Sequence, residues 1–243
     1  MHTLILLLLL LLALPSQASE LRIAVASNFR PALEQLAPLF TQQHQVVVKL
    51  SSGASGQLVA QIQQGAPFDL FLSADSHYPQ HLYRQGLTEK PITYARGRLL
   101  LIGDKPAASE QALLARATRI GFANPELAPY GAAAKQVLQI LHRWPAAKTQ
   151  IYAQATNISQ VQQWYETGQL DAAFVAASLA RDQYPAQFDL TKTFNLALEQ
   201  QAVLLKRSHQ PAVANQFLAF LQQPQVQHLL VNLGYQAVAR GNP

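Results

Sequence analysis

Hydrophobic and polar positions follow two rhythms along this chain. Short apolar runs rich in Val, Ile, Leu and Ala read as buried strands. They alternate with stretches where apolar residues recur every three or four positions, as on an amphipathic helix. The first pair is a strand over residues 21–25 and a helix over 32–40. Strands over 46–50 and 69–72 follow, with helices over 58–64 and 78–85, the last stopped by Gly86. Beyond them lie strands over 98–102, 119–123, 172–175 and 201–205, and helices over 109–116, 132–142, 158–167, 211–222 and 224–234. This alternation predicts an α/β, doubly wound fold, a mainly parallel sheet with helices on both faces.

Two lobes are expected. Strands 99–102 and 202–205 are candidates for a two-strand hinge, giving lobe I as 19–98 plus 205–243 and lobe II as 99–204. A single doubly wound domain is the competing description. Residues 1–18 stand apart: an apolar run over 4–14 is followed by Pro15, Ser16, Gln17 and Ala18, with small residues where a signal peptidase reads. That pattern predicts a secretory signal peptide cleaved after Ala18. The run is shorter than the roughly 20 residues of a membrane span. Roughly 225 residues remain, enough for one large domain or two lobes of about 100 residues each.

The chain contains no cysteine. This excludes a thiol nucleophile, a zinc–cysteine site and a lipid-modified cysteine anchor, and a soluble periplasmic protein is expected. The formal charge is +5 and the pI about 9.6. Its cations are scattered singly (Arg22, Lys49, Arg84, Lys105, Arg143, Lys192). A nucleic-acid footprint would be clustered, so no nucleic-acid partner is expected. The basic surface is read as solvated, with a mild attraction for anions.

Open parallel sheets bind ligands where strands hand over to helices. The first such turn contains Ser27 and Asn28, which supply hydroxyl, amide and backbone donors, before Pro31 in the first helical turn. The second, Ser51-Ser52-Gly53-Ala54-Ser55-Gly56-Gln57, consists mostly of Ser and Gly, and such residues let a backbone approach a ligand closely. It lacks the Gly-Lys-Ser/Thr ending of a nucleotide-binding loop. Two more are Ala128-Pro129-Tyr130-Gly131 and Ala155-Thr156-Asn157-Ile158-Ser159. None of the four holds a carboxylate, and a fully ionised dianion needs donors only. Ser27 and Thr156 taken singly read as helix caps, whereas the 51–57 turn holds more Ser and Gly than capping requires.

Catalytic constellations are poor. Ser55 is not in a Gly-x-Ser-x-Gly elbow, and no histidine is visibly paired with it. His77 and His81 have helical spacing but no His-Glu-x-x-His context, and an exposed helix face is the simpler reading. Asp69 and Asp75 flank a short strand, where capping is the common role. A secreted hydrolase using Ser55 or Asp69 is the competing function of another class.

Several blocks resemble the molybdate-binding proteins of bacterial molybdate transporters, of the class II periplasmic binding-protein fold. These are Ala24-Val25-Ala26-Ser27, the turn from Ser51 to Leu58, the run from Gly65 to Asp75, and Pro129-Tyr130-Gly131, within a likeness running from Leu21 to Tyr235. The resemblance implies an oxyanion held between two lobes by the hydroxyls of Ser27 and Ser55 and by N–H groups of those turns, of Tyr130 and of Ile158. It implies no metal ligands and no cofactor: molybdate or tungstate is the ligand, bound as an oxyanion. It also implies hinge closure, delivery to an ABC transporter membrane permease, and a monomer. Members with a Val-Tyr-x-Ser block have a tyrosine donor where this chain has Ala176. The same fold with sulfate, thiosulfate or a small organic acid is the nearest alternative.

Overall fold

Two five-stranded mixed sheets, flanked by helices, organise the chain in the computed structural model, which describes residues 19–145, 149–180 and 184–238. The expected signal peptide, 1–18, lies outside the described residues. The first part supplies β1 (Ser19–Ala26), α1 (Arg30–His44), β2 (Val46–Gly53), α2 (Ser55–Gln63), β3 (Leu70–Leu72), α3 (His77–Arg84) and β4 (Ile92–Arg96). The chain then crosses to form β5 (Leu99–Gly103), α4 (Glu110–Arg116), β6 (Arg119–Ala123), α5 (Pro129–Ile140) and β7 (Ile151–Ala155). In the same part follow α6 (Ile158–Glu166), β8 (Ala172–Ala176), β9 (Ala186–Asp189) and the one-turn α7 (Leu190–Thr193). It returns as β10 (Glu199–Leu204), α8 (Pro211–Leu221) and α9 (Pro224–Asn232).

The strand orders are β2-β1-β3-β10-β4 and β7-β6-β8-β5-β9. Three adjacent strands in each sheet are parallel, and the fourth, β10 or β5, is antiparallel to both neighbours. That fourth strand is in each case the first one formed after the chain arrives from the other sheet. The expected mainly parallel sheet is therefore two mixed sheets of like topology.

Residues 199–204, expected in lobe II, pair only within the first sheet. Strands 99–102 and 202–205 do not run between the sheets as expected. The crossings are the short segments 97–98 and 194–198, tied where the Gly97 N–H donates to the Leu198 carbonyl at 2.8 Å. The apolar run that suggested a connecting strand is instead a buried central strand: Ala202 and Val203 are fully buried between β3 and β4.

Each sheet has its own core. Around the first gather Phe29, Phe40, Tyr94, Phe217 and Phe220, with the Phe40 and Phe217 rings edge-to-face at 4.9 Å. On α1, Ala32, Leu33, Leu36 and Phe40 form the buried stripe, at the spacing of one helix face. Burying each such phenylalanine contributes about 1.5–3 kcal/mol. Around the second sheet pack Phe122, Phe174, Val137 and Leu138. That core also takes in Ala26, Ala54 and Ala74, which stand at strand ends of the first sheet, so the two cores meet through small side chains there.

Candidate functional site

The alanines where the cores meet line a small cavity between the sheets. Its wall comprises Ala26, Ser27, Asn28, Gly53, Ala54, Ser55 and Ala74 from the first sheet's turns, and Ala128, Pro129, Tyr130 and Ile158 from the second's. Ser27, Asn28, Ser55, Tyr130 and Ile158, singled out in separate turns of the sequence, are thus brought to one place. Ser55 is 1% exposed, Asn28 1%, Tyr130 2% and Ile158 3%. The cavity wall has no charged side chain and no histidine.

Four helices begin at this wall: α1, α2, α5 and α6. Their N-terminal N–H groups carry a partial positive charge, and none of the four has an acidic residue in its first turn to offset it. The residues at three of these starts are ill suited to capping: Phe29 before α1, Ala54 before α2 and Ala128 before α5 make no side-chain cap. Pro31 and Pro129 sit in first turns, where a missing N–H costs nothing. On α6 the cap is Asn157, whose side chain accepts from Ser159 and Gln160 N–H, so neither Ser27 nor Thr156 is a cap. The backbone N–H groups of Asn28, Ser55, Tyr130 and Ile158 donate to no described residue.

The backbone carbonyl oxygens of Ser27 and Asn28 are engaged elsewhere. The Ser27 carbonyl accepts from the Ser159 hydroxyl at 3.1 Å, and the Asn28 carbonyl from the Ser178 and Tyr235 hydroxyls at 3.0 and 2.8 Å. Ser55 Oγ accepts from the Ala74 N–H at 3.2 Å, which leaves its own proton to donate. The Ser27 hydroxyl makes no hydrogen bond with a described residue. What remains at the wall is a set of donors and one buried acceptor without a partner among the described residues, Asn28 Oδ1, a balance that suits an ionised oxyanion.

Contacts across the cleft join the two sheets. Gly56 N–H donates to the Leu127 carbonyl at 2.9 Å and the Tyr78 hydroxyl to the Glu126 carbonyl at 3.1 Å. With the Ser159 and Ser178 bonds they define a closed arrangement.

Residues 21–236 match the family of bacterial extracellular solute-binding proteins. The chain belongs to that family. This solute-binding protein is 34% identical over 230 residues to the molybdate-binding protein ModA of Rhodobacter capsulatus, covering 92% of this chain and 91% of that one. It is 32% identical over 235 residues to ModA of Azotobacter vinelandii, covering 93% of each. The solved structure of the Azotobacter vinelandii periplasmic molybdate-binding protein matches with a TM-score of 0.84 at 33% identity, over 90% of this chain and 100% of that one. The two-sheet α/β architecture is that of the class II periplasmic binding proteins. The family is one of solute-binding proteins rather than enzymes. No helix among the described residues is long and apolar enough to cross a membrane.

The catalytic candidates have structural roles in this solute-binding protein. Asp69 accepts from Arg22 N–H at 2.8 Å and from the Ser208 hydroxyl at 2.6 Å, tying β3 to its neighbours. Asp75 accepts from the Ser73 hydroxyl at 2.8 Å and from Tyr78 N–H at 3.2 Å, and burial raises its carboxyl above the usual range. The His77 and His81 rings stack at 6.4 Å on α3, and the described residues contain no cluster of His, Asp and Glu able to hold a metal. Ala176, at the end of β8, is fully buried and is not part of the cavity wall.

Sequence reasoning missed the layer beneath the cavity. Gln200 is fully buried; its Oε1 accepts from Asn28 Nδ2 at 3.1 Å and from the Tyr94 hydroxyl at 3.0 Å, while its Nε2 donates to the Tyr130 hydroxyl at 3.2 Å. The available signal was a pair of glutamines, Gln200 and Gln201, opening the apolar run to Leu205.

Proposed function

We propose that this chain captures a tetrahedral oxyanion, molybdate or its near-isosteric analogue tungstate, and delivers it to the membrane permease of an ABC importer. The observation that carries the reading is the buried cavity whose wall offers the Ser27 and Ser55 hydroxyls and the unpaired N–H groups of Asn28, Ser55, Tyr130 and Ile158, with no charged side chain. The molybdate-binding relatives support the choice of ion. Each donor to a charged oxygen is worth about 1.5–3 kcal/mol, so six donors offset the loss of hydration and leave a useful affinity. Binding needs no metal, cofactor or bond-breaking residue, and the chain acts as a carrier.

On this reading the two lobes are residues 19–98 with 199–238 and residues 99–198, rotating about the crossings at 97–98 and 194–198. The ion meets the Ser27 and Ser55 turns first, and the second lobe closes with Tyr130 and Ile158. The segment 1–18 is removed on export to the periplasm, where the mature chain works as a monomer without nucleic acid.

Thermal unfolding with sodium molybdate, tungstate, sulfate and phosphate tests this. Ligand at 100 times its dissociation constant adds about 2.7 kcal/mol of apparent stability. A shift with molybdate and tungstate is expected; a shift with sulfate alone would reassign the ion, and no shift with any of the four would end the oxyanion reading.

A further inference from the structure

Tyr130 has two jobs that its position in α5 makes separable. Its N–H is at the cavity, while its phenol ring runs beneath the wall to the place where the chain crosses between sheets. There its hydroxyl meets Gln200 Nε2 at 3.2 Å, and burial holds the phenol well above its ordinary pKa, so it stays neutral. Gln200 stands on β10, in the other sheet, at a register shift between Gln200 and Gln201 that aims its side chain inward. The same amide holds Asn28 Nδ2 at 3.1 Å. A single buried side chain therefore ties together two wall residues that belong to opposite lobes.

The space around this contact is closed. A Cβ added to Gly97, at the crossing itself, would lie 2.2 Å from the Tyr130 hydroxyl oxygen and 2.6 Å from Gln200 Nε2. Only a residue without a side chain lets the strut form. The hydroxyl and amide are both shielded from water, so breaking the contact strands a buried Gln200 N–H donor with no water to replace its partner, which makes the spacing stiff.

We propose that Gln200, acting through the Tyr130 hydroxyl and the Asn28 amide, is a positioning residue that fixes the distance between the two halves of the cavity and so selects oxyanions by size. The proposal rests on the oxyanion reading of the cavity. Molybdate and sulfate share charge and shape but differ in radius. A smaller ion is held well only if the donors of the two lobes converge, and the strut resists that movement. Selectivity then comes from a contact that never touches the ion.

The test compares molybdate and sulfate affinities, by calorimetric titration, in the wild type and in Gln200→Leu, Tyr130→Phe, Gly97→Ala and the Gln200→Leu/Tyr130→Phe double variant. Tyr130→Phe deletes one oxygen and keeps the N–H, so it serves if Gln200→Leu does not fold. The molybdate-to-sulfate affinity ratio is expected to fall about tenfold in each single variant, and in the double no further than in Gln200→Leu, because the contact that Tyr130→Phe removes is already lost with Gln200. If the wild type binds molybdate and the folded variants keep the ratio within about twofold, or if the two losses add, the strut is not the selector while the oxyanion reading stands. If the wild type binds no oxyanion, that reading fails and this inference with it.

Discussion

The Tyr78 hydroxyl reaches across the cleft to the Glu126 carbonyl at 3.1 Å, beside a second bond from Gly56 N–H to Leu127. Two successive carbonyls on the second sheet's side are thus gripped from the first sheet's side, and neither Tyr78 nor Glu126 lines the cavity. The loop they grip is preformed: Leu127 and Ala128 N–H both donate to the Asn124 carbonyl, and Glu126 N–H to the Asn124 side chain. It leads straight into Pro129 and Tyr130. The clasp acts on closure without contacting the ion.

Tyr78→Phe is expected to raise the dissociation constant about fivefold, the worth of one hydrogen bond of about 1 kcal/mol. Stopped-flow release of molybdate should locate the loss in the off-rate. Gly56→Ala goes further: its Cβ would lie 2.5 Å from the Tyr78 hydroxyl and 3.1 Å from the Leu127 carbonyl, so closure must open the clasp. An unchanged off-rate in both variants would remove the clasp from the account.

Ser55→Ala deletes a hydroxyl that accepts from Ala74 N–H and has its proton free for the cavity. A hydrogen bond to a charged oxygen is worth about 1.5–3 kcal/mol, so molybdate affinity should fall at least about tenfold. Ser55 is buried in the first turn of α2 but is no cap, and the unliganded fold should survive. Calorimetric titration beside circular dichroism measures both; full affinity in the variant would rule out Ser55 as a ligand.

Asp75 makes the protein's stability depend on pH in an unusual direction. Burial raises its folded pKa above the ordinary 3.8, although the bonds from Ser73 and Tyr78 pull the other way. The folded state then holds the proton more tightly than the unfolded state. Its contribution is fully favourable below the ordinary pKa and is lost as pH rises through the raised folded value, which leaves a buried carboxylate as a cost at neutral pH. Asp75→Asn keeps an oxygen to accept both bonds. It should stabilise the ligand-free protein at pH 7 and flatten the change in stability as pH rises above the ordinary carboxyl range. Thermal unfolding from pH 4 to 8 decides this; a variant less stable than the wild type at pH 7 would contradict it.

Much of this architecture was legible in the pattern of apolar residues, and the reason shows in what was missed. β4, β7 and β9 went unread, and all three are edge strands of their sheets. An edge strand is covered on fewer sides, so Thr93, Gln154 and Gln187 interrupt the apolar run that marks a central strand. The apolar run of β10 suggests a strand crossing between the sheets, whereas it pairs inside the first, because burial looks alike in a connecting strand and a central one. Composition drew attention to Ser51 to Gln57, yet Ser51 to Gly53 end β2 and Ser55 already opens α2, so the expected turn shrinks to Ala54, and only Gly53, Ala54 and Ser55 of the seven line the cavity. Gln200 could not be found in this way. Its partner Asn28 is 172 positions distant, and a long-range polar contact leaves no local pattern.

The central claim is that a donor-lined, uncharged cavity holds molybdate. Calorimetric titration of the mature protein with sodium molybdate, at low and at high sodium chloride, tests it most directly. The account predicts one ion bound per chain with an affinity that changes little with salt, because the donors are buried and neutral. Absence of binding, or an affinity that collapses as salt rises, would contradict it and place any anion on the exposed basic surface instead.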